Sequence, residues 1–419
     1  MSPLEPSDIT NDSRIDADTA FVVRLATALH RFGVPCHNLE ALIHRLTQAL
    51  LLPSQVMSLP TAFLASFGPW EHQRSVIVRV DAQGLDLTKV AKLIGVAHDV
   101  AEGRATVTDG TAQVVAIEQA PVTFGSNWQL VAGTLASAAV GRLFGGSVAD
   151  MLVSALIGLV VAVQARLLAQ SRAARVYEPL AAVTASAIAA AAAYAFIPIS
   201  PVIVVLSGLI MMLPGYTITV AFDELAARHL VAGTTRLVSA ITMVVFLGLG
   251  VVLVNKMVSL LGIPVTAELA TALPPWLDAV AVGVALLAFA ISLSTPPREL
   301  PWVLLLGGTA ELVERLIVAD LGRPLAVSLA ACLVAASTNL YARLTGRLAS
   351  VVLAPAITML LPGSLSLRSM LSFADSNVVS GVDSTYQMVL IAGALVTGLL
   401  VGNLLVPVSD RAGRVLSPE

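Results

Sequence analysis

The stretch GLIMMLPGYTITVAFDELAARHL, residues 208–230, decides how the chain is read. An apolar run able to enter a bilayer meets Pro214-Gly215, and Asp223, Glu224, Arg228 and His229 follow shortly after. Proline removes a backbone donor and clashes with the preceding turn, and glycine tolerates the turn that follows. Backbone groups freed in this way cannot face lipid. They are covered by protein or line a wet cavity. A Pro-Gly at the end of a span is also a common helix terminus, so the break gains meaning only from its surroundings.

Those surroundings are apolar. The 419 residues are 57% hydrophobic and 12% charged, with mean hydropathy +0.86, where a soluble globular chain carries roughly 25% charged residues. Residues 1–127 hold nine of the 24 Lys and Arg and five of the six His. They read as a disordered tail (1–17) and a soluble α+β domain (18–127): a helix ending at Gly33, a second capped by Asn38, a strand in SVIVRV, and a helix capped by Asp86. From Trp128 onward, runs long enough to span roughly 30 Å of hydrocarbon succeed one another near 128–146, 148–168, 179–197, 199–220, 234–256, 276–294, 301–319, 324–342, 348–362 and 384–406. The expectation is a polytopic α-helical membrane protein of about ten transmembrane helices, with a short tail at 409–419.

The N-terminus, MSPLEPSDITNDSRIDADTA, has neither the basic nor the apolar region of a signal peptide. With it placed inside, ten Lys and Arg fall in inner connections and five in outer ones, which favours both termini on the cytoplasmic side. Cys36 and Cys332 are too few and too distant for a disulfide framework and read as packing residues. Gly133, Ser137, Gly141 and Gly145 recur every four residues, a close-packing face for another helix.

The opening stretch has a copy. Residues 204–233 align without gaps onto 352–381, VLAPAITMLLPGSLSLRSMLSFADSNVVSG, at an offset of 148, and eight of the 30 positions are identical. Leu-Pro-Gly at 213–215 and 361–363 and the later Gly233 and Gly381 are shared, and Trp128 and Trp276 stand at the same offset. A period of this size organises the region into two halves, 128–260 and 275–408, of five spans each. An odd number of spans per half makes them inverted repeats. In secondary transporters that architecture places the substrate at the repeat interface, beside discontinuous helices.

At these residues the chain resembles the threonine/serine exporter family of bacterial inner-membrane proteins. The resemblance rests on LPGYTITVAFDELAARHLVAGTTRL and TMLLPGSLSLRSML in the two halves, and on LATALHRFGVPCHNLEALIHRLTQAL and DLTKVAKLIGVAHDVAEG in the soluble domain. It runs from about residue 20 to 406. It implies export of threonine and serine driven by the proton-motive force, across a bacterial inner membrane. Asp223, His229, Gly233 and Arg236 match the family motif. Two departures stand out: Arg228 occupies the position before the His where the family usually has Gly, and Val34-Pro35-Cys36 lacks the small and acidic residues usual after Gly33. Some two-subunit relatives resemble dicarboxylate exporters, a second reading that needs two cations in the cavity, Arg236 with Arg368 or Arg315.

An amino-acid substrate needs a cation or helix N-terminus for its carboxylate, and proton coupling needs a titratable group. Substrate or proton binding is expected at Asp223, Glu224, His229, Arg236, Glu311 and Arg368, with the breaks Pro214, Gly215, Pro362 and Gly363 lining the pathway. Glu311 lies eleven residues into a span, roughly 16 Å deep at 1.5 Å per residue, where a carboxylate is costly and a functional candidate by default. Simpler readings stand beside these: Glu224 with Arg228 and Glu311 with Arg315 as i,i+4 pairs, and His229 as a structural histidine. Ser337, Thr338 and Asn339 read as polar lining, and His30, His37 and His44 as surface residues. His37 and His44 stand two turns apart, about 10 Å, too far to share a metal. The residues ask for no cofactor, metal or nucleic acid. The expected partners are threonine or serine, protons, the bilayer and, as one option, a second copy of the chain. No nucleophile beside a base appears in the spans, which argues against an embedded hydrolase.

Overall fold

The computed structural model describes residues 6–81, 84–169, 171–195, 197–262, 273–374 and 377–407; the expected tail at 409–419 lies outside them. The N-terminal part is the expected α+β unit. Helix α1 (Pro6–Arg31) begins inside the stretch read as a disordered tail. Helix α2 (Cys36–Ala49) starts directly after Pro35 with no side-chain cap, rather than after Asn38, because proline's fixed φ already suits a helix start. Strands β1 (Ser54–Leu59), β2 (Ala62–Phe67) and β3 (Arg74–Arg79) form an antiparallel meander with Leu59 opposite Ala62 and Ala62 opposite Arg79. Phe63, Ala65 and Phe67 are the buried face of β2, the two-residue period of a half-buried strand. Helix α3 (Leu87–Ala101) is capped as expected, Asp86 accepting from the Lys89 N–H at 3.0 Å, and α4 (Val107–Gln119) closes the unit. Phe21, Leu25, Leu29, Leu39, Ile43 and Leu93 lie fully inside its core.

Beyond Gly125 the chain is helical and apolar. The first half comprises α5 (Ser126–Leu143), α6 (Val148–Leu168), α7 (Tyr177–Tyr194), α8 (Pro201–Gly208), α9 (Gly215–Ala226) and α10 (Leu230–Leu260). The second comprises α11 (Trp276–Ser292), α12 (Leu300–Leu321), α13 (Arg323–Thr345), α14 (Ala349–Ala356), α15 (Gly363–Ala374) and α16 (Val378–Leu405). All ten apolar stretches fall on helices. Six spans are long and apolar enough to cross a membrane, seven if the bent pair α8–α9 is one span, which is fewer than the ten expected. The shortfall has causes in the sequence. Helix α11 has only 17 residues, α5 opens on the polar Ser126, Asn127 and Gln129, and α12 carries Glu311, Glu314, Arg315 and Asp320.

Pro-Gly acts alike in the two halves. Helix α8 is followed by a 3₁₀ turn at Ile210–Met212 and then α9 beginning at Gly215; α14 is followed by a turn at Thr358–Leu360 and then α15 beginning at Gly363. These bounds recur 148 residues apart. The first break bends its helix pair by 49°, whereas Ala349–Ala374 runs as one span. The breaks meet backbone to backbone: a Cβ on Gly215 would stand 3.0 Å from the Gly363 nitrogen and 3.1 Å from its Cα. The small face of α5 also packs closely, Gly133 against Ala162 of α6 and Gly141 against Ser154 and Ser207, while Gly145 lies past the helix end.

The N-terminal domain rests on both halves. At the start of α3 the Leu87 and Thr88 N–H groups donate to the Leu293 and Ser294 carbonyls beyond α11, at 3.0 and 3.1 Å. At the start of α2 the Cys36 N–H donates to Glu224 of α9 at 3.0 Å. Leu85 and Leu87 pack with Tyr216, Leu293, Leu348 and Val351 over the seam.

A side chain at Gly215 forces the crossing apart, and overpacking of this kind costs typically about 1–3 kcal/mol. Gly215→Val should therefore lower the melting temperature of the purified protein in detergent. Gly308→Ala, whose Cβ meets nothing within 4 Å, should not.

Candidate functional site

Two cavities adjoin the first break. A central one of about 190 Å³ lies between the halves, lined by Leu213, Gly215 and Tyr216 of the first break and Leu361, Gly363 and Ser364 of the second. Pro214 and Pro362 are buried beside it. Ser292, Thr358 and Arg323 add polar groups to its wall. The second cavity, about 550 Å³, lies at the end of the bundle where α5 begins and α6 connects to α7, with Gln129, Ser137, Arg166, Glu178 and the break residues Gly208 and Met212 on its wall.

The central cavity suits a small carboxylate. The first N–H groups of a helix have no partner within it, and its N-terminus carries about half a positive charge. Helices α9 and α15 both start here, and no side chain caps α9. The Arg323 guanidinium, 3.5 Å from Glu314, is a further cation on the wall. A volume below the roughly 300–1,000 Å³ of drug-sized sites fits a metabolite of few atoms. Among the described residues no group of three or more His, Cys, Asp or Glu is placed to hold a metal ion.

The motif charges gather instead at the junction with the N-terminal domain. Glu224, fully buried, pairs with Arg236 at 2.9 Å and accepts from the Cys36 N–H. Its expected partner Arg228 is exposed at φ +64°. Glycine takes that left-handed conformation freely, which gives a physical reason for glycine at this position in the family resembled. Asp223 faces His37 at 3.3 Å, and His229 faces Glu40 at 3.6 Å, with the two imidazole rings 6.1 Å apart. Burial pushes His37 down to about 4, so its ring stands beside Asp223 as a neutral imidazole near pH 7. Burial also lowers His30 and raises the Glu40 carboxyl and the Cys36 thiol. The reading of His30 and His37 as surface residues is thus corrected: His30 is 2% exposed and His37 is half-buried against the membrane helices, leaving only His44 exposed.

The remaining candidates lie elsewhere. Glu311 pairs with Arg315 at 2.8 Å, Arg315 reaches Asp278 at 3.6 Å, and Asp278 holds Arg142 at 2.8 Å, so this network ties α12, α11 and α5 at the end away from the domain. Arg368 is exposed on α15 and lines neither cavity. Asn339 joins helices instead of lining a cavity, donating to Asn403 and to the Val406 carbonyl at 2.8 Å. Sequence reasoning missed Cys36, His37 and Glu40 as partners of the motif, because the pairs lie 186 to 200 positions apart and carry no local signal.

Removing one partner of a buried ion pair costs roughly 3–5 kcal/mol. Arg236→Met should destabilise the protein by about that much in detergent unfolding, and adding Glu224→Gln should restore most of it. The histidines set a pH dependence. A histidine whose folded pKa lies below the unfolded value of about 6.5 stays neutral while the unfolded chain takes a proton, so its contribution is lost as pH falls from about 6.5 to 4. Glu40, raised by burial, acts in the opposite direction. Melting temperature should therefore fall less between pH 7 and 5 in His37→Asn than in the wild type.

Comparison with known proteins identifies the family. A family model described as "Putative threonine/serine exporter" matches residues 20–258, and one described as "Threonine/Serine exporter, ThrE" matches residues 278–405. Among curated proteins the chain is similar to pheromone-regulated membrane protein 10 of Eremothecium gossypii, 32% identical over 56% of this chain and 32% of the relative. It is 25% identical to the same-named protein of Candida glabrata and 26% to that of Saccharomyces cerevisiae, each over 88% of this chain and 47% and 48% of the relative. The chain thus spans about a third to a half of these relatives' length. No solved structure matches it. With the first match covering the N-terminal domain and the first group of apolar helices, and the second match the other group, the chain belongs to the threonine/serine exporter family.

Proposed function

We propose that the protein is a secondary exporter of threonine and serine, driven by proton antiport, with ten spans arranged as two inverted five-helix repeats. The observation that carries this reading is the meeting of the two Pro-Gly breaks at one small cavity lined by both. Two half-helix N-termini and Arg323 suit the substrate carboxylate, and the Ser292, Thr358 and Ser364 hydroxyls suit its polar remainder. Helices α5, α11 and α12 count as spans here: Glu311 is buried beside Arg315 and Asp278 pairs with Arg142, while the exposed Ser126, Asn127 and Asp320 lie at helix ends.

Sidedness follows from charge and contacts together. The N-terminal domain touches Glu224, Leu293 and Ser294, next to connections carrying the inner excess of arginine. Both features support a reading with the two termini on the cytoplasmic side, in the bacterial inner membrane that the resemblance implies. Asp223 is the proton carrier in this reading: it faces the His37 ring at 3.3 Å, whereas Glu311 already faces Arg315 at 2.8 Å. The dicarboxylate alternative loses support, since it needs two cations in the cavity and none of Arg236, Arg315 and Arg368 lines the central one.

Proteoliposomes loaded with labelled threonine, serine or succinate and given a pH gradient test the reading. Gradient-dependent threonine and serine flux is expected, and succinate flux without them would sink it. Asp223→Asn should lower gradient-driven flux at least tenfold while leaving gradient-free exchange measurable; unchanged coupling would remove Asp223 from the role.

A further inference from the structure

We propose that Met211 and Met359 are the two gates of the pathway, Met211 toward the N-terminal domain and Met359 toward the opposite side. The inference rests on the transporter reading and goes beyond it by assigning the residues that separate substrate from each side.

Among the described residues, two line both the central cavity and the 550 Å³ vestibule: Met211 and Ser292. The partition on the domain side is therefore one thioether and one hydroxyl. Met211 sits on the 3₁₀ turn of the first break and packs against Ala132 and Ala136 of α5 and Ala288 of α11. Its neighbours there are methyl groups, and methionine is unbranched with three rotatable bonds. The side chain can change rotamer without moving a helix.

The 148-residue offset supplies the other gate. It carries Met211 onto Met359, one of the identical positions, and relates Ser292 to Phe144. Both Met359 and Phe144 line the central cavity. Met359 packs with Leu143 and Phe289 over Ala139, Ala281 and Ala285. The domain-side partition thus pairs methionine with a small serine, and the opposite one pairs methionine with a bulky phenylalanine. The vestibule reaches the serine side, so the domain-side partition is the thinner of the two.

Cysteine labelling tests the assignment without any substrate, so its outcome is separate from that of the flux experiment. Met211→Cys and Met359→Cys are made in the full chain, with wild type giving the background from Cys36 and Cys332. Each is exposed to a membrane-impermeant thiol reagent in vesicles of either orientation. Met211→Cys should label at least tenfold faster from the domain side, and Met359→Cys faster from the other. Ser292→Cys and Phe144→Cys should follow Met211→Cys and Met359→Cys respectively, and they stand in if a methionine variant misfolds. Labelling of both positions from the same side, or at rates independent of side, overturns the proposal. In flux assays of the family's substrates, Met211→Ala with Met359→Ala should leak at least tenfold more than either single variant, and a merely additive leak also overturns it.

Discussion

Everything in the membrane part depends on one close approach, the contact of Gly215 with Gly363. Two interrupted helices can share the middle of a bundle only if their backbones touch, and a backbone touches another only where no Cβ intervenes. The proline before each glycine removes an N–H that would otherwise continue the helix. The dipeptide thereby starts the second helix of each broken pair and permits the crossing, the first helix having ended six residues before the proline, at Gly208 and at Ala356. The cavity follows from that geometry, because the 3₁₀ turns and half-helix starts cannot fill the space that continuous helices would.

The charges obey a different constraint. Glu224 is fully buried, and a carboxylate survives burial only when paired and hydrogen-bonded. Arg236 supplies the pairing and Cys36, on the other domain, supplies an N–H. The membrane helices therefore do not satisfy their own motif. Cys36, His37 and Glu40 of α2 complete it, which links the N-terminal domain to the chemistry of the spans more directly than a tether would.

Much of this was legible in the sequence and some was not, for physical reasons. The break at Pro214-Gly215 and its copy at Pro362-Gly363 were readable because proline and glycine act on their own backbone. The Glu311–Arg315 pair was readable because its i,i+4 positions lie in one unbroken helix, whereas Glu224 and Arg228 straddle the end of α9 at Ala226. The partners of Asp223 and Glu224 were not, since no periodicity says which face another domain will cover. His30 and His37 were misread for that reason: their polarity suggested solvent, and tertiary contact decided otherwise. Asn38 lost the cap of α2 to Pro35, three residues earlier, and Asn339 went to a helix contact rather than a pathway.

The domain's grip on both halves carries a mechanical meaning. Its bonds to Leu293 and Ser294 hold one half, and its bond to Glu224 holds the other. Any rocking of one half against the other must carry the domain along or break a set of these bonds, each of them typically worth about 0.5–3 kcal/mol depending on charge. The N-terminal domain is thus a clamp spanning a hinge, and it sets a threshold on how freely the halves can part.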